Sequence, residues 1–213
     1  MSRPGLHDAM RGWRLGTWLA LALAWPMLPP AAAQPLSPPP APEMQMQVEA
    51  AFLVNFVRYT DWPPQRFAGP AAPWVISVVG SRDASAIVHA MASAAGDIQG
   101  RAILVRHVEF PVGTSAADVA KRTEAIERLR GSHLVFLPAS AGIAPATIVD
   151  AVRGAQVLTV SDVPGFVDDG GMLGLVRVGG HLAFQANPVA IQEAGLIVSA
   201  KVLKLAQLRP GAP

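Results

Sequence analysis

Cysteine is absent from this chain of 213 residues, so disulfide bonds, thiolate zinc sites and cysteine nucleophiles are excluded. The chain also lacks the GxxxxGKS/T and GxGxxG patterns that cradle nucleotide phosphates. It has neither the GxSxG elbow of many serine hydrolases nor the HExxH pair of zinc proteases. Because no recognisable catalytic motif remains, we expect no enzyme activity, no metal and no cofactor.

The first 33 residues have the three zones of a secretory signal peptide. Arginines precede an apolar run from Trp18 to Leu28, and the small residues Ala31 and Ala33 precede Gln34. The apolar run is shorter than the roughly 20 residues that span a bilayer. We therefore predict cleavage before Gln34 and export to the periplasm, with an uncleaved anchor as the alternative.

An excess of charge is also lacking once the predicted signal peptide is removed. Residues 1–33 hold three of the 17 basic residues and one of the 15 acidic residues, so 14 of each remain. Nucleic-acid binding needs clustered positive charge that displaces phosphate counterions. We expect no nucleic-acid partner.

The rest of the chain divides into a linker and a domain. Residues 34–43 are rich in proline and have few apolar side chains to bury, which predicts a disordered tether. Residues 44–210 have the length of one domain with a full core.

Apolar residues at helical spacing predict five helices in this domain. In the first helix Val48, Phe52, Phe56 and Tyr59 recur on one face, and Pro63 stops it. Asp83 is the predicted N-cap of the second. The later helices are predicted over residues 115–130, 145–154 and 188–208, the last of them a long C-terminal helix packed on a sheet.

Short runs rich in β-branched residues predict strands over residues 73–80, 101–108, 133–137 and 156–161. Two more runs, 172–178 and 181–187, meet at Gly179 and Gly180, which is typical of a β-hairpin. Strands separated by single helices favour right-handed crossovers in a parallel sheet. The predicted fold class is α/β: a mainly parallel sheet flanked by helices on both faces, with a C-terminal β-hairpin and a long C-terminal helix.

The stretch VLTVSDVPGFVDDGGMLGLV places Ser161, Asp162, Asp168 and Asp169 between two apolar runs. A hydrolase could use these groups, but adjacent strand residues point to opposite faces, and acids beside glycines more simply solvate a turn. Phe166 lies in the same loop. It is a candidate for partner contact, with packing against the core as the alternative.

Four other residues are candidates for ligand binding. Trp62 and Arg66 follow the first helix, while Arg177 and His181 share the hairpin and could present two donors to an anionic or aromatic ligand. The histidines lie on different predicted elements without metal-binding spacing. The four residues predict a pocket for an aromatic or nucleotide-like compound.

Five segments occur in a recognisable order: AAFLVNFVRYTDWP, PWVISVVG, SHLVFLPAS, VLTVSDVPGFVDDGGMLGLV and FQANPVAIQEAGLIVSAKVLKLA. In this order they resemble the YfiR family of small exported bacterial proteins, also called DUF4154. The resemblance spans nearly the whole predicted domain. It implies a periplasmic regulator and not an enzyme.

The resemblance also implies partners. The best-known family member represses an inner-membrane diguanylate cyclase by holding the periplasmic sensor domain of the cyclase, and an outer-membrane lipoprotein relieves the repression. Cyclic di-GMP then sets exopolysaccharide output and biofilm formation. Other members occur beside histidine kinases, so a periplasmic small-ligand-binding protein acting with such a kinase is the alternative. Members can form homodimers, although no coiled-coil heptad here requires one.

The family pattern usually places cysteines where Ser77 and Ser132 stand. Disulfide-dependent stability and redox control, as implied for members with cysteine, are therefore not expected to carry over to this chain.

Overall fold

The structure is a computed structural model and describes residues 41–179 and 181–208. The predicted signal peptide and residues 34–40 of the predicted tether lie outside the described residues. The strands are β1 (Thr60–Asp61), β2 (Trp74–Val79), β3 (Ile103–Val108), β4 (Leu134–Leu137), β5 (Leu158–Ser161), β6 (Leu173–Val178), β7 (His181–Ala186), β8 (Ile197–Val198) and β9 (Gln207–Leu208). The helices are α1 (Ala41–Arg58), α2 (Arg82–Ala95), α3 (Ala116–Arg130), α4 (Pro145–Ala151), α5 (Pro188–Glu193) and α6 (Ala200–Leu203).

Seven of the described strands form one sheet in the order β3-β2-β4-β5-β6-β7-β9. Neighbours from β3 to β6 are parallel, and β6 pairs with β7 as an antiparallel hairpin. This arrangement confirms the predicted α/β class, the mainly parallel sheet and the C-terminal hairpin.

Helices cover both faces of the sheet. Successive residues of a strand point to opposite faces, so one strand contributes to two buried clusters. On β4, Leu134 and Phe136 belong to one buried cluster, which also holds Leu53 of α1. Val135 and Leu137 belong to the other, which includes Leu129 of α3 and residues of α4. The predicted two-sided arrangement is therefore confirmed.

The first helix buries a different face from the predicted one. Phe52 and Phe56 pack inward, but Val48 and Tyr59 are each 44% exposed. The buried face also includes Glu49, Ala50, Leu53 and Val57. The helix begins at Ala41, three residues before the predicted start of the domain.

The prediction of one long C-terminal helix is wrong. Gly195, with a φ of +69°, follows α5, and the chain then continues as β8. Ile197 pairs with Asp61 of β1, and the Ser199 side chain accepts a hydrogen bond from the Lys201 amide at the start of α6. A left-handed glycine and an antiparallel pair thus interrupt a sequence whose apolar spacing is helical.

The predicted cap of the second helix is also displaced. The Ser81 hydroxyl, rather than the Asp83 carboxylate, accepts from a first-turn amide, that of Ala84, at 3.2 Å. Asp83 lies within the first turn, where its negative charge complements the positive end of the helix dipole. Within the described part of the chain, none of the helices has the length and apolar character needed to cross a membrane.

Candidate functional site

The carboxyl ends of β2, β4 and β5 converge beside a crevice. The chain leaves β2 towards α2 on one face of the sheet and leaves β4 towards α4 on the other. Adjacent strands whose connections diverge in this way open a cleft, and in open α/β sheets such a switch point is where ligands bind. The crevice holds a cavity of about 680 Å³. We call it the carboxyl-edge crevice.

Each strand supplies residues to this crevice from the turn that follows it. Ser81 comes after β2, Pro138 and Ser140 come after β4, and Asp162 comes after β5. Helix α1 lies across them and contributes Glu49 among other residues. The crevice therefore joins segments that are far apart in the sequence.

Glu49 is the most deeply buried acid of this site, with 2% of its surface exposed. Its Oε1 accepts a hydrogen bond of 2.7 Å from Gln45 Nε2. Burial raises the pKa of Glu49 to about 7, the hydrogen bond and Arg177 oppose the rise, and Asp162 adds to it. The group therefore titrates near neutral pH.

Asp162 has a structural bond as well as a place in the crevice. Its Oδ1 accepts from the Ala139 amide at 2.6 Å, which fixes the turn after β4. Burial raises the pKa of Asp162, and its backbone hydrogen bonds partly offset the effect. The buried Glu49 and the half-buried Asp162 thus both lie where ionisation is disfavoured without a nearby cation.

A second cavity of about 360 Å³ shares Gln45, Glu49 and Asp162 with the first, and Arg177 also lines it. Arg177 Nε donates to Gln45 Oε1 at 3.2 Å, while the same amide donates to Glu49. Gln45 therefore connects an arginine and a buried acid. His181, opposite Val178 in the hairpin, is exposed.

Trp62 and Arg66 lie at the other edge of the sheet, near the start of β2 and the residues before β4. Trp62 is 7% exposed, and its ring lies 5.2 Å from that of Trp74. Arg66 donates to the carbonyl oxygens of Ser132, at 2.5 Å, and Arg130, at 3.1 Å. Because Arg177 ends β6 at the carboxyl edge, the structure does not bring the four predicted ligand residues into one pocket.

His133 forms the centre of this aromatic cluster. Its Nδ1 accepts from the Val75 amide at 3.0 Å, and its ring stacks on Phe67 with centroids 4.7 Å apart. Burial, together with Arg66 and Arg101, lowers the pKa of His133 to about 4. The neutral imidazole is thus part of the structural core at the amino edge.

The candidate catalytic side chains in and after β5 occupy structural positions. Ser161 is fully buried, and its Oγ donates to the Leu137 carbonyl at 2.6 Å. Asp168 and Asp169 are exposed in a turn. Within residues 41–179 and 181–208, no group of three or more histidine or acidic side chains could hold a metal ion. The turn interpretation fits this placement better than the hydrolase interpretation.

Of the two roles considered for Phe166, the structure shows packing against the core, because only 2% of its surface is accessible. Its ring lies so close to Gly171 that a Cβ atom there would overlap it. Phe166 therefore packs inward, which was the alternative, and its ring offers no surface to a partner in this conformation.

The sequence interpretation missed Gln45, Glu49 and the turn residues Ser81 and Ser140. One signal was available, since Glu49 is an acidic residue within the apolar run VEAAFLV of a helix. Ser81 and Ser140 gave no such signal in the sequence, because they come together only when β2 and β4 are neighbours in the sheet.

No curated protein matches this chain. A conserved domain protein from Vibrio cholerae O1 biovar eltor str. N16961 is 14% identical, with a TM-score of 0.47, over 76% of this chain and 59% of that one. The ABC domain in complex with L-Trp from Streptococcus pneumonia is 16% identical, with a TM-score of 0.44, over 63% and 54%. The chain thus spans less than two thirds of either structure. The YfiR/HmsC-like family model matches residues 46–207, and the chain belongs to that family.

Proposed function

We propose that this protein is an exported, non-enzymatic regulator that binds the periplasmic sensor region of an inner-membrane diguanylate cyclase and represses it. The family match over residues 46–207 carries the proposal, because the YfiR-like family is regulatory and acts with a membrane partner. Repression requires the protein to bind one state of the sensor more tightly than the other. Lower cyclic di-GMP and less biofilm follow, and an outer-membrane lipoprotein would relieve the repression.

The outward face of α1 supplies a surface for the sensor. Met44, Val48 and Tyr59 recur at helical spacing and are each 44–45% exposed. Ile197 is 67% exposed and pairs with Asp61, two residues after Tyr59. These four residues form the α1 stripe. Apolar side chains left accessible together are typical of protein interaction sites.

The experiment compares two substitutions of equal exposure. Val48→Glu introduces a charge on the α1 stripe, whereas Val119→Glu introduces the same charge on α3, where Val119 is 45% exposed. Each variant is expressed in the host from which the gene was deleted, and cyclic di-GMP, biofilm and co-purification of the sensor region are measured. We expect Val119→Glu to restore repression and Val48→Glu to fail while folding normally.

One result would overturn the proposal, and a second would overturn only its contact surface. Deletion of the gene could leave cyclic di-GMP and biofilm unchanged, with no cyclase sensor co-purifying. If Val48→Glu represses as well as Val119→Glu does, the α1 stripe is not the contact surface, although the regulator itself would stand.

A second candidate function is a periplasmic ligand-binding protein acting with a histidine kinase or another membrane partner. The carboxyl-edge crevice at the switch point favours it, and Arg177 lies in the adjoining cavity. Thermal-shift screening tests this candidate, because a ligand at a hundred times its Kd stabilises the folded state by about 2.7 kcal/mol. Hits unaffected by Arg177→Ala or His181→Ala would exclude the hairpin residues from the site.

A further inference from the structure

We infer that the carboxyl-edge crevice binds a small organic cation, an amine or amidinium group carried on an apolar body. The inference deepens the second candidate function and rests on it, since it names the class of ligand. If another class of ligand binds in place of the amine, this inference fails while the second candidate function stands.

The shape of the site is that of a ligand pocket. Its volume of about 680 Å³ lies within the range of small-molecule sites, and several separate segments of the chain line it. It occupies the position at which the connections of β2 and β4 diverge. Neither feature depends on the acidity of the lining.

The negative charge of the residues that line the crevice favours a cationic ligand. Glu43, Glu49, Asp83 and Asp162 line the cavity, and none of the described residues that line it is basic. The end of α2 that faces the crevice would otherwise favour an anion, but Ser81 caps it and Asp83 lies in its first turn. Arg177, at the adjoining cavity, is the positive group that lowers the pKa of Glu49.

Glu49 is the group in the lining that a bound cation would stabilise most, because it is a buried carboxyl group. The side chain is 98% buried, since only 2% is exposed, and it lines both cavities. It accepts a hydrogen bond from the neutral side-chain amide of Gln45, and no lysine or arginine of the described residues forms an ion pair with it. A buried carboxyl group without a cation is costly to ionise, and an ammonium group in the crevice would stabilise the charged form.

The remaining lining fits an apolar body. Met46, Ile87 and Pro138 offer carbon surface to a ligand in the crevice. Ser140 and Gln45 add hydrogen-bonding groups at its edge. A ligand with one charged end and one apolar end would satisfy both parts of the surface.

The test uses three probes of nearly equal shape: 2-phenylethylamine, the neutral 2-phenylethanol and the anionic 3-phenylpropanoate. Binding to the purified mature protein is measured at pH 8 by calorimetry and by change in Tm. We expect the amine to bind and the alcohol and anion to bind at least tenfold more weakly. Glu49→Gln should weaken amine binding at least on the order of tenfold, as the loss of a hydrogen bond between charged groups does.

A second variant guards against a folding defect. Asp162→Asn keeps the oxygen that accepts from Ala139 and should weaken amine binding likewise. Glu124→Gln, an exposed glutamate on α3, should leave it unchanged. Amine affinity should also rise from pH 6 to pH 8 as Glu49 ionises next to Asp162, Glu43, Asp83 and Arg177.

Five outcomes would overturn the inference. The amine could fail to bind at about 10 mM, a concentration high enough to occupy even a weak site. The alcohol could bind equally, which would show an apolar pocket only, or the anion could bind better. Equal amine affinity in wild type, Glu49→Gln and Asp162→Asn would place the amine elsewhere. Displacement of the amine by Mg²⁺ or Ca²⁺ with the same acids required would make the crevice a metal site.

Discussion

Ser77 and Ser132 meet in the interior, where their hydroxyl oxygens are 2.7 Å apart and both residues are fully buried. Ser132 also donates to the Arg128 carbonyl at 3.0 Å. These are the positions at which the family resemblance implies cysteines. The structure therefore shows a hydrogen bond joining β2 to the segment before β4 at the place where two thiols would be close enough to react.

We expect the double substitution Ser77→Cys and Ser132→Cys to form a disulfide bond without a large change of the backbone. Closing the loop from residue 77 to residue 132 should stabilise the protein by up to about 4 kcal/mol, because the unfolded chain loses entropy. Thermal unfolding with and without a reductant measures the gain, and a thiol assay confirms the bond.

The matched controls are the two single cysteine variants, which cannot form the bond and should not respond to reductant. A double variant that keeps two free thiols under oxidising conditions would contradict the placement of these two residues. One that oxidises but loses stability would show that the geometry at this site is strained.

At the scale of elements, α1 shows where the apolar pattern is informative and where it is ambiguous. The existence of the helix followed from its spacing, but both the predicted stripe through Val48 and Tyr59 and the buried one through Leu53 and Val57 have helical periods. A helix that is apolar around most of its circumference does not reveal which face packs. Only the sheet beneath it decides, and the sequence pattern does not contain that information.

The helix prediction for the C-terminal segment failed for a related reason. Helical spacing from Pro188 to Leu208 predicted one helix, yet Gly195 adopts a left-handed conformation and the next residues pair with β1. A single glycine inside a helical pattern is tolerated in many helices, so its presence was not decisive. The pairing partner, Thr60–Asp61, is too short to be recognised as a strand from sequence.

Gly195→Ala tests this break. The φ of +69° is strained for a residue with a Cβ atom, and the added methyl would contact only Gln156 Nε2, at an acceptable 3.6 Å. We expect a loss of about 1 kcal/mol in the free energy of unfolding from backbone strain. Denaturant unfolding measures it.

Gly131→Ala is the control, since Gly131 also ends a helix but has a φ of −79° and ordinary contacts for a Cβ atom. It should be neutral or slightly stabilising. If Gly195→Ala were as stable as Gly131→Ala, the segment would be continuing as the helix that the pattern predicted.

At the scale of the whole molecule, strand order decides where the site lies. The alternation of strands and helices was sufficient to predict a mainly parallel sheet with both faces covered. It did not show that β4 inserts beside β2 rather than beside β3, and this choice creates the carboxyl-edge crevice. Ser81 and Ser140 therefore could not be linked from the sequence, and Trp62 and Arg177 could not be separated.

The same arrangement buries two titratable groups whose effects on stability oppose each other. The pKa of His133 falls from 6.5 unfolded to about 4 folded, so the unfolded chain binds more protons between these values and stability rises with pH there. The pKa of Glu49 rises from 4.5 unfolded to about 7 folded, so the folded chain binds more protons and stability falls as pH rises through that window. Asp162, whose pKa burial also raises, acts in the direction of Glu49.

We therefore expect wild-type stability to change little between pH 4.5 and pH 6.5, because these opposing contributions overlap. Glu49→Gln keeps an oxygen that can accept a hydrogen bond from Gln45. It removes the contribution of Glu49 to stability, which falls as pH rises. Its free energy of unfolding should rise by about 3 kcal/mol from pH 4 to pH 6.5 and then exceed that of the wild type at pH 8.

Urea unfolding followed by the fluorescence of Trp62 and Trp74 measures both profiles, and Glu124→Gln on exposed α3 should reproduce the wild-type curve. Parallel profiles for Glu49→Gln and wild type would mean that Glu49 ionises as freely in the folded protein as in the unfolded chain. That result would contradict the burial of Glu49 on the inner face of α1. If Glu49→Gln is instead more stable than the wild type at pH 8 but not at pH 4, the crevice holds a carboxyl group whose charge the protein alone does not balance. Cation binding depends on this unbalanced charge.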